Sequence, residues 1–325
     1  MTIHRRHILG AAALGWAGSL SLPALAQDWP ARPLRLVSPY GAGGSNDILT
    51  RLLGDFLGRQ LKQSVVIENR AGAGTRIANE YIAHAPPDGY TLLHAAAPIA
   101  IGEALYPSLP YDVKKNFTPI VSTAIAPLFL VVNADAPYKT LAEFVQYGKS
   151  QPNGLNFGTP GAGSAPHLTA ELLLRVAKLK GINAHFRGDA PAYTELLAGR
   201  IDATLTAVST AVPHIQAGKL RVLAVSTEER TPVYPSAPTF RELGFPNVVG
   251  YGWYGLMAPA GTPAPIVERL NKETNAALAD AEIRKKAEAA GLELRGGSAS
   301  AFGEFIGAET RKWAQIIKAA NITAE

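Results

Sequence analysis

The sequence contains no cysteine and only two methionines among its 325 residues. Without cysteine there is no disulfide framework, no thiolate metal site and no cysteine nucleophile. No Gly-Lys-Ser/Thr sequence follows either glycine-rich turn at 41–44 or 161–163, which excludes a phosphate-cradling P-loop. None of the histidines after the leader (84, 94, 167, 185 and 214) stands four residues from another, so a helical zinc pair is excluded and no metal site is expected. No pair of carboxylates stands out as a general acid–base set. Charge is also sparse, 18% of residues for a net +5, and about +3 remains once the two arginines of the leader are set aside. Basic residues are scattered rather than clustered, so the chain carries a mild attraction for small anions and no nucleic-acid footprint.

An export leader accounts for the one long apolar run. His4-Arg5-Arg6-His7 precedes an apolar stretch over 8–22 and Ala24-Leu25-Ala26, which reads as a secretory signal peptide spanning 1–26. The paired arginines suit twin-arginine export and the general route equally.

Two stretches organise the remainder. A short apolar strand over 34–37 runs into Tyr40-Gly41-Ala42-Gly43-Gly44-Ser45-Asn46-Asp47, and apolar residues 48, 49, 52, 53, 56 and 57 then mark one face of a helix. The pattern returns at Thr159-Pro160-Gly161-Ala162-Gly163-Ser164, followed by a helical face at 168, 172, 173, 176 and 179. A glycine turn at a helix start aims unpartnered backbone N–H groups at an anion. Two of them suggest two lobes gripping one acidic small molecule.

Ser45 and Ser164 are natural N-caps. Asp47 is placed to pair with Arg51 one turn on. Tyr40 lines the cleft or its rim, His167 either meets a ligand or packs, and Asp189 either accepts from a ligand hydroxyl or pairs with Arg187. Trp253 and Tyr254 read as core or hinge residues, with stacking on an aromatic ligand as the alternative.

Strand-like and helix-like segments alternate along the chain. Strands are expected over 65–68, 90–94, 124–132 and 220–226, and helices over 141–150 and 193–198. The last third is helical over 265–279, 282–290 and 301–318. This order argues for an α/β architecture with largely parallel sheets. The dinucleotide fingerprint fails at Gly41 and Gly43, with Asn46 where the third glycine belongs, and again at Gly72 and Gly74, with Ile77 there. Gly43-Gly44-Ser45-Asn46-Asp47 lacks the closing glycine of a nucleophile elbow. No cofactor is expected. A secreted hydrolase using Ser45 or Ser164 with His167 is the alternative from another class.

Further segments make a resemblance specific. They are Glu68-Asn69-Arg70-Ala71-Gly72-Ala73-Gly74, Asp88-Gly89-Tyr90-Thr91-Leu92, Phe186-Arg187-Gly188-Asp189-Ala190-Pro191, Leu197-Ala198-Gly199-Arg200-Ile201-Asp202 and Trp253-Tyr254-Gly255. With the second glycine loop and in this order, the chain resembles the Bug-type receptors, the substrate-binding proteins of tripartite tricarboxylate transporters. The resemblance implies a two-lobed periplasmic flytrap fold, each lobe a sheet flanked by helices, joined by two crossings. Lobe 1 is then 27–127 with 228–325, and lobe 2 is 128–227.

It further implies a periplasmic, monomeric receptor that holds a carboxylate through backbone N–H groups and water and passes it to membrane subunits. A sensing subunit for a signalling partner is a further reading. The ligand set expected on this basis is Tyr40, Gly43, Gly44, Ser45, Asn46, Ala96, Thr159, Gly161, Ala162, Gly163, Ser164, His167, Arg187, Asp189 and Ser209. Relatives carry polar groups where this chain has Ala95-Ala96-Ala97-Pro98, and an acid or amide near Thr206 and Ala207. The far wall is therefore expected to be apolar, favouring a carboxylate with an aromatic or apolar body over a citrate-like acid.

Overall fold

The computed structural model describes residues 29–186 and 189–323, so the leader lies outside the described residues. In chain order, β1 (Leu34–Ser38) leads to α1 (Ser45–Leu61), β2 (Val65–Asn69), α2 (Arg76–Ala83), β3 (Thr91–Ala96), α3 (Pro98–Leu105) and the single turn α4 (Val113–Asn116). The long strand β4 (Phe117–Asn133) opens the middle of the chain. It is followed by α5 (Leu141–Ser150), β5 (Leu155–Thr159), α6 (Ala165–Val176), β6 (Gly181–His185), α7 (Asp189–Leu197), β7 (Ala203–Ala207), α8 (Val208–Gln216) and β8 (Leu220–Val225). The return comprises β9 (Tyr251–Pro259), α9 (Ala264–Ala279), α10 (Ala281–Ala289), β10 (Glu293–Leu294) and α11 (Ala299–Ala320).

The strands order as β2-β1-β3-β9-β4-β7-β5-β6, with β8 and β10 also on β4. Two parallel trios result, β2-β1-β3 and β6-β5-β7. The expectation of largely parallel sheets holds only for these trios, because β4 and β9 run antiparallel to their neighbours. The reason is topological: a strand that carries the chain from one sheet to the other enters without a βα crossover.

β4 is that strand. Its first part pairs with β9 as far as Pro127↔Tyr251, and from Leu128 its partners are β7 and β8. Pro127 has no N–H to give to a ladder, which suits the point where the partner changes. Ser226, just after β8, ties this joint: its N–H donates to the Leu128 carbonyl at 2.9 Å, its hydroxyl to the Leu128 and Gly250 carbonyls, and its own carbonyl accepts from Gly250 N–H. The connection to β9 stays close to β8 at first, with Phe240 N–H on the Val225 carbonyl at 3.0 Å. The fold is thus the two-lobed periplasmic type, one sheet to each lobe.

In each trio the middle strand, β1 or β5, ends in a glycine loop that starts a helix. Ligands of open α/β sheets bind outside the carboxyl ends of such strands. Burial holds the strands in place: Leu36 and Phe157 are wholly buried, and Trp253 of β9 is enclosed by Phe302 and Phe305 of α11.

Candidate functional site

The first loop is shaped by its own acid. Gly43 sits at φ 91°, and its N–H donates to Asp47 Oδ2 at 2.9 Å. Asp47 also takes Arg51 Nε at 3.0 Å, the expected pair, and Asn69 Nδ2 at 2.7 Å. Burial is the largest influence on the Asp47 carboxyl and opposes its ionisation. The bonds from Arg51, Gly43 and Asn69 together outweigh burial and hold its pKa below the ordinary value.

The N-cap of α1 is Gly44 and not Ser45. The Ser45 hydroxyl donates instead to the Ala290 carbonyl at 3.0 Å. A glycine cap has no side-chain oxygen to cover the first-turn N–H groups. Asn46 turns inward: its carbonyl oxygen accepts from Ser38 Oγ at 2.8 Å and its amide donates to the His94 carbonyl. His94 is fully buried between Thr50 Oγ1 at 2.6 Å and Thr123 Oγ1 at 2.8 Å, which anchors the start of α1 to β3 and β4.

The second loop repeats the geometry with different chemistry. Gly163 sits at φ 70°, and its N–H donates to the side chain four residues on, here His167 Nδ1 at 3.0 Å. The neutral imidazole therefore carries its proton on Nε2. Ser164 is the N-cap, its hydroxyl accepting from His167 N–H at 3.3 Å and donating to the Gly161 carbonyl at 2.7 Å. Thr159 is buried and its hydroxyl pairs with His185 Nδ1. The Ser–His contact that a hydrolase needs is not formed, because both Ser164 and His167 spend these atoms on backbone groups.

A cavity of about 300 Å³ lies between the lobes. From the second lobe it takes Pro160, Gly161, Ala162, Gly163 and Ser164, and from the first Pro39 and Tyr40. The remaining wall was not foreseen: the loop at 71–75, Ile101 and Leu105 of α3, and Tyr106 just beyond it. Of the expected set, Gly43, Gly44, Ser45, Asn46, Ala96, Thr159 and His167 are not in this lining. Ala96 is buried in β3 opposite Tyr254, so only Pro98 of the alanine stretch reaches the cavity. Arg187 lies outside the described residues, as do the side chains of Asp189 and Ser209, which belong to α7 and α8.

The loop at 71–75 had one visible signal, its glycines. Its backbone is strained, with Ala73 at φ 47° and the β-branched Thr75 at φ 75°. Among the described residues no group of three metal-binding side chains converges.

Residues 49–322 match the tripartite tricarboxylate transporter family receptor, TctC. The chain belongs to this family. It is 34% identical to BugT of Bordetella pertussis over 303 residues, covering 92% of each chain. Among solved structures it resembles an R. palustris protein with adipate (TM-score 0.83, 34% identity, 91% of this chain and 99% of that one). It also resembles MatC from Rhodopseudomonas palustris with bound malate (TM-score 0.79, 32% identity, 89% and 99%).

A second, more open depression of about 420 Å³ lies on this TctC receptor between α6 and the end of α11, remote from both glycine loops. Arg175 there donates to the Ala319 carbonyl and Glu171 accepts from Asn183.

The receptor's buried histidines predict an acid-sensitive fold. Burial lowers His94 to about 3, and burial with the neighbouring His185 lowers His167 to about 4. Both depressed values mean that the unfolded chain binds protons below about pH 6.5 while the folded one does not. Their stabilising effect is whole above about pH 6.5 and is lost as pH falls towards 4 and 3. Urea titrations at stepped pH should show stability declining over that window. The decline should be shallower in His167→Asn, whose amide oxygen accepts the Gly163 N–H without titrating. An equal slope in the variant would remove His167 from the account.

Proposed function

We propose that this protein is a periplasmic, monomeric solute receptor whose lobes close on a small carboxylate with an apolar or aromatic body and deliver it to the membrane subunits of a tripartite transporter. In this reading lobe 1 is 27–127 with 228–325, lobe 2 is 128–227, and residues 1–26 direct export. The observation that carries it is the cavity between the lobes, with glycine backbone at 161–163 on one side and Ile101, Leu105 and Tyr106 on the other. The backbone supplies donors for a carboxylate, and Ile101 and Leu105 supply apolar surface beside them. In this reading the apolar surface comes from α3 rather than from the alanines of β3, which do not line the cavity.

The magnitudes suit a receptor. Hydrogen bonds to a charged group contribute about 1.5–3 kcal/mol each. Three of them with modest apolar burial reach about −8 kcal/mol, a micromolar dissociation constant. Neighbouring structures with adipate and malate support a carboxylate ligand, and the apolar wall favours adipate's methylene chain over malate's hydroxyl.

Calorimetric titration of the protein lacking residues 1–26 tests this against adipate, benzoate, malate and citrate. Micromolar binding of adipate or benzoate, roughly tenfold or more tighter than malate and citrate, is expected. Tight citrate binding with silence from adipate and benzoate would overturn the apolar body, and silence from all four would overturn the receptor reading.

A further inference from the structure

Tyr106 stands where the two lobes meet. Its ring is half-buried against the cavity. A Cβ on Gly74 would lie 3.1 Å from its hydroxyl and one on Gly163 3.8 Å, so the oxygen sits between the glycine loops of opposite lobes. Among the described residues that hydroxyl has no hydrogen-bond partner. A phenolic O–H beside bare backbone in a cleft is a donor held ready for a ligand.

Behind it lies a positive charge. The Arg76 guanidinium covers the Tyr106 ring at 4.0 Å, with Nε on the Ala73 carbonyl at 2.9 Å. Arg76 forms no ion pair among the described residues. Elsewhere on the first lobe, Glu103 accepts Val113 N–H at 2.9 Å and Glu68 serves both Arg35 and Arg70, while Glu80 one turn along α2 forms no ion pair among the described residues. An arginine stacked on an aromatic ring keeps the ring oriented and leaves its own field directed at the site.

We propose that Tyr106 is a specificity-determining residue whose hydroxyl donates to the ligand carboxylate, and that Arg76 is the positioning residue that fixes its ring and biases the cleft towards anions. The proposal rests on the receptor reading. It assigns the site a side-chain donor and a cation that neither glycine loop provides. It also fits glycine at position 74, where a Cβ would stand a tight 3.1 Å from the hydroxyl.

The test is titration of wild type, Tyr106→Phe, Arg76→Gln and Arg76→Lys with adipate and benzoate at low and high salt, with melting temperatures alongside. Tyr106→Phe should weaken binding about tenfold with an unchanged melting temperature. Arg76→Gln should weaken it severalfold and flatten its salt dependence, whereas Arg76→Lys should keep the salt dependence and recover part of the affinity. A Tyr106→Phe variant that binds either probe like wild type, or an Arg76→Gln variant with the wild-type salt dependence, overturns the proposal and leaves the receptor reading standing. Wild type that binds neither probe overturns both.

Discussion

Replacing Gly163 with valine should weaken carboxylate binding by about 100-fold, close to 3 kcal/mol, while both lobes remain folded. Two independent effects act at this position. The backbone at φ 70° disfavours any L side chain, and a β-branched one most, at about 1–2 kcal/mol. In addition, the first carbon of the new side chain would lie 2.4 Å from Leu105 Cδ2. Leu105 is buried and has little room to turn away, so the overlap is expected to push α3 and the second glycine loop apart rather than to unfold either.

Gly43→Ala is the matched control. Its φ is 91°, yet a Cβ there meets nothing within 4 Å. It should lose stability through backbone strain and leave the cleft able to close. Pairing Gly163→Ala with Leu105→Ala should recover part of the affinity that Gly163→Ala alone loses. Calorimetry with adipate or benzoate reads the affinities, and urea titration reads the folding. A Gly163→Val variant with wild-type affinity would show that the cleft does not close at this contact.

Trp253→Ala should cost about 3–5 kcal/mol in a denaturant titration. The ring has no exposed surface and is held edge-on by Phe302 at 5.8 Å and Phe305 at 5.5 Å. Deleting it opens a void beneath α11, and β9, which pairs with both β3 and β4, loses its ring contacts with that helix. Trp253→Phe should cost much less, under about 2 kcal/mol, for a specific reason. Among the described residues the buried indole N–H has no partner, so removing it relieves a desolvated donor while most of the apolar contact survives. Equal losses in the two variants would mean that the N–H is contributing a bond after all.

Local signals made much of the fold readable. The helix expected over 141–150 ends before Pro152-Asn153-Gly154 and matches α5, and the structure adds a reciprocal cap of Thr140 and Glu143 at its start. The apolar run of β4 begins only at residue 124, since Thr118, Ser122 and Thr123 interrupt it, although the strand begins at Phe117. β9 was missed because Gly252 and Gly255 dilute it. Strand direction was beyond local reading, as nothing in β4 or β9 announces that it crosses between sheets. The site was half legible for the same reason. Glycines marked both loops, and Asp47 with Arg51 followed from helical spacing. The inward turn of Asn46 depends on His94, 48 residues away, and Tyr106 reaches the cavity only because α3 packs where the lobes meet.

Amide hydrogen exchange, with and without the tightest-binding carboxylate, tests the central claim most directly. The account predicts that ligand slows exchange together at 39–45 and 161–165, the backbone of both glycine loops, and at the joint formed by Ser226 and Gly250. Slowing around 171–181, or in one loop alone, would contradict closure of two lobes on a shared carboxylate.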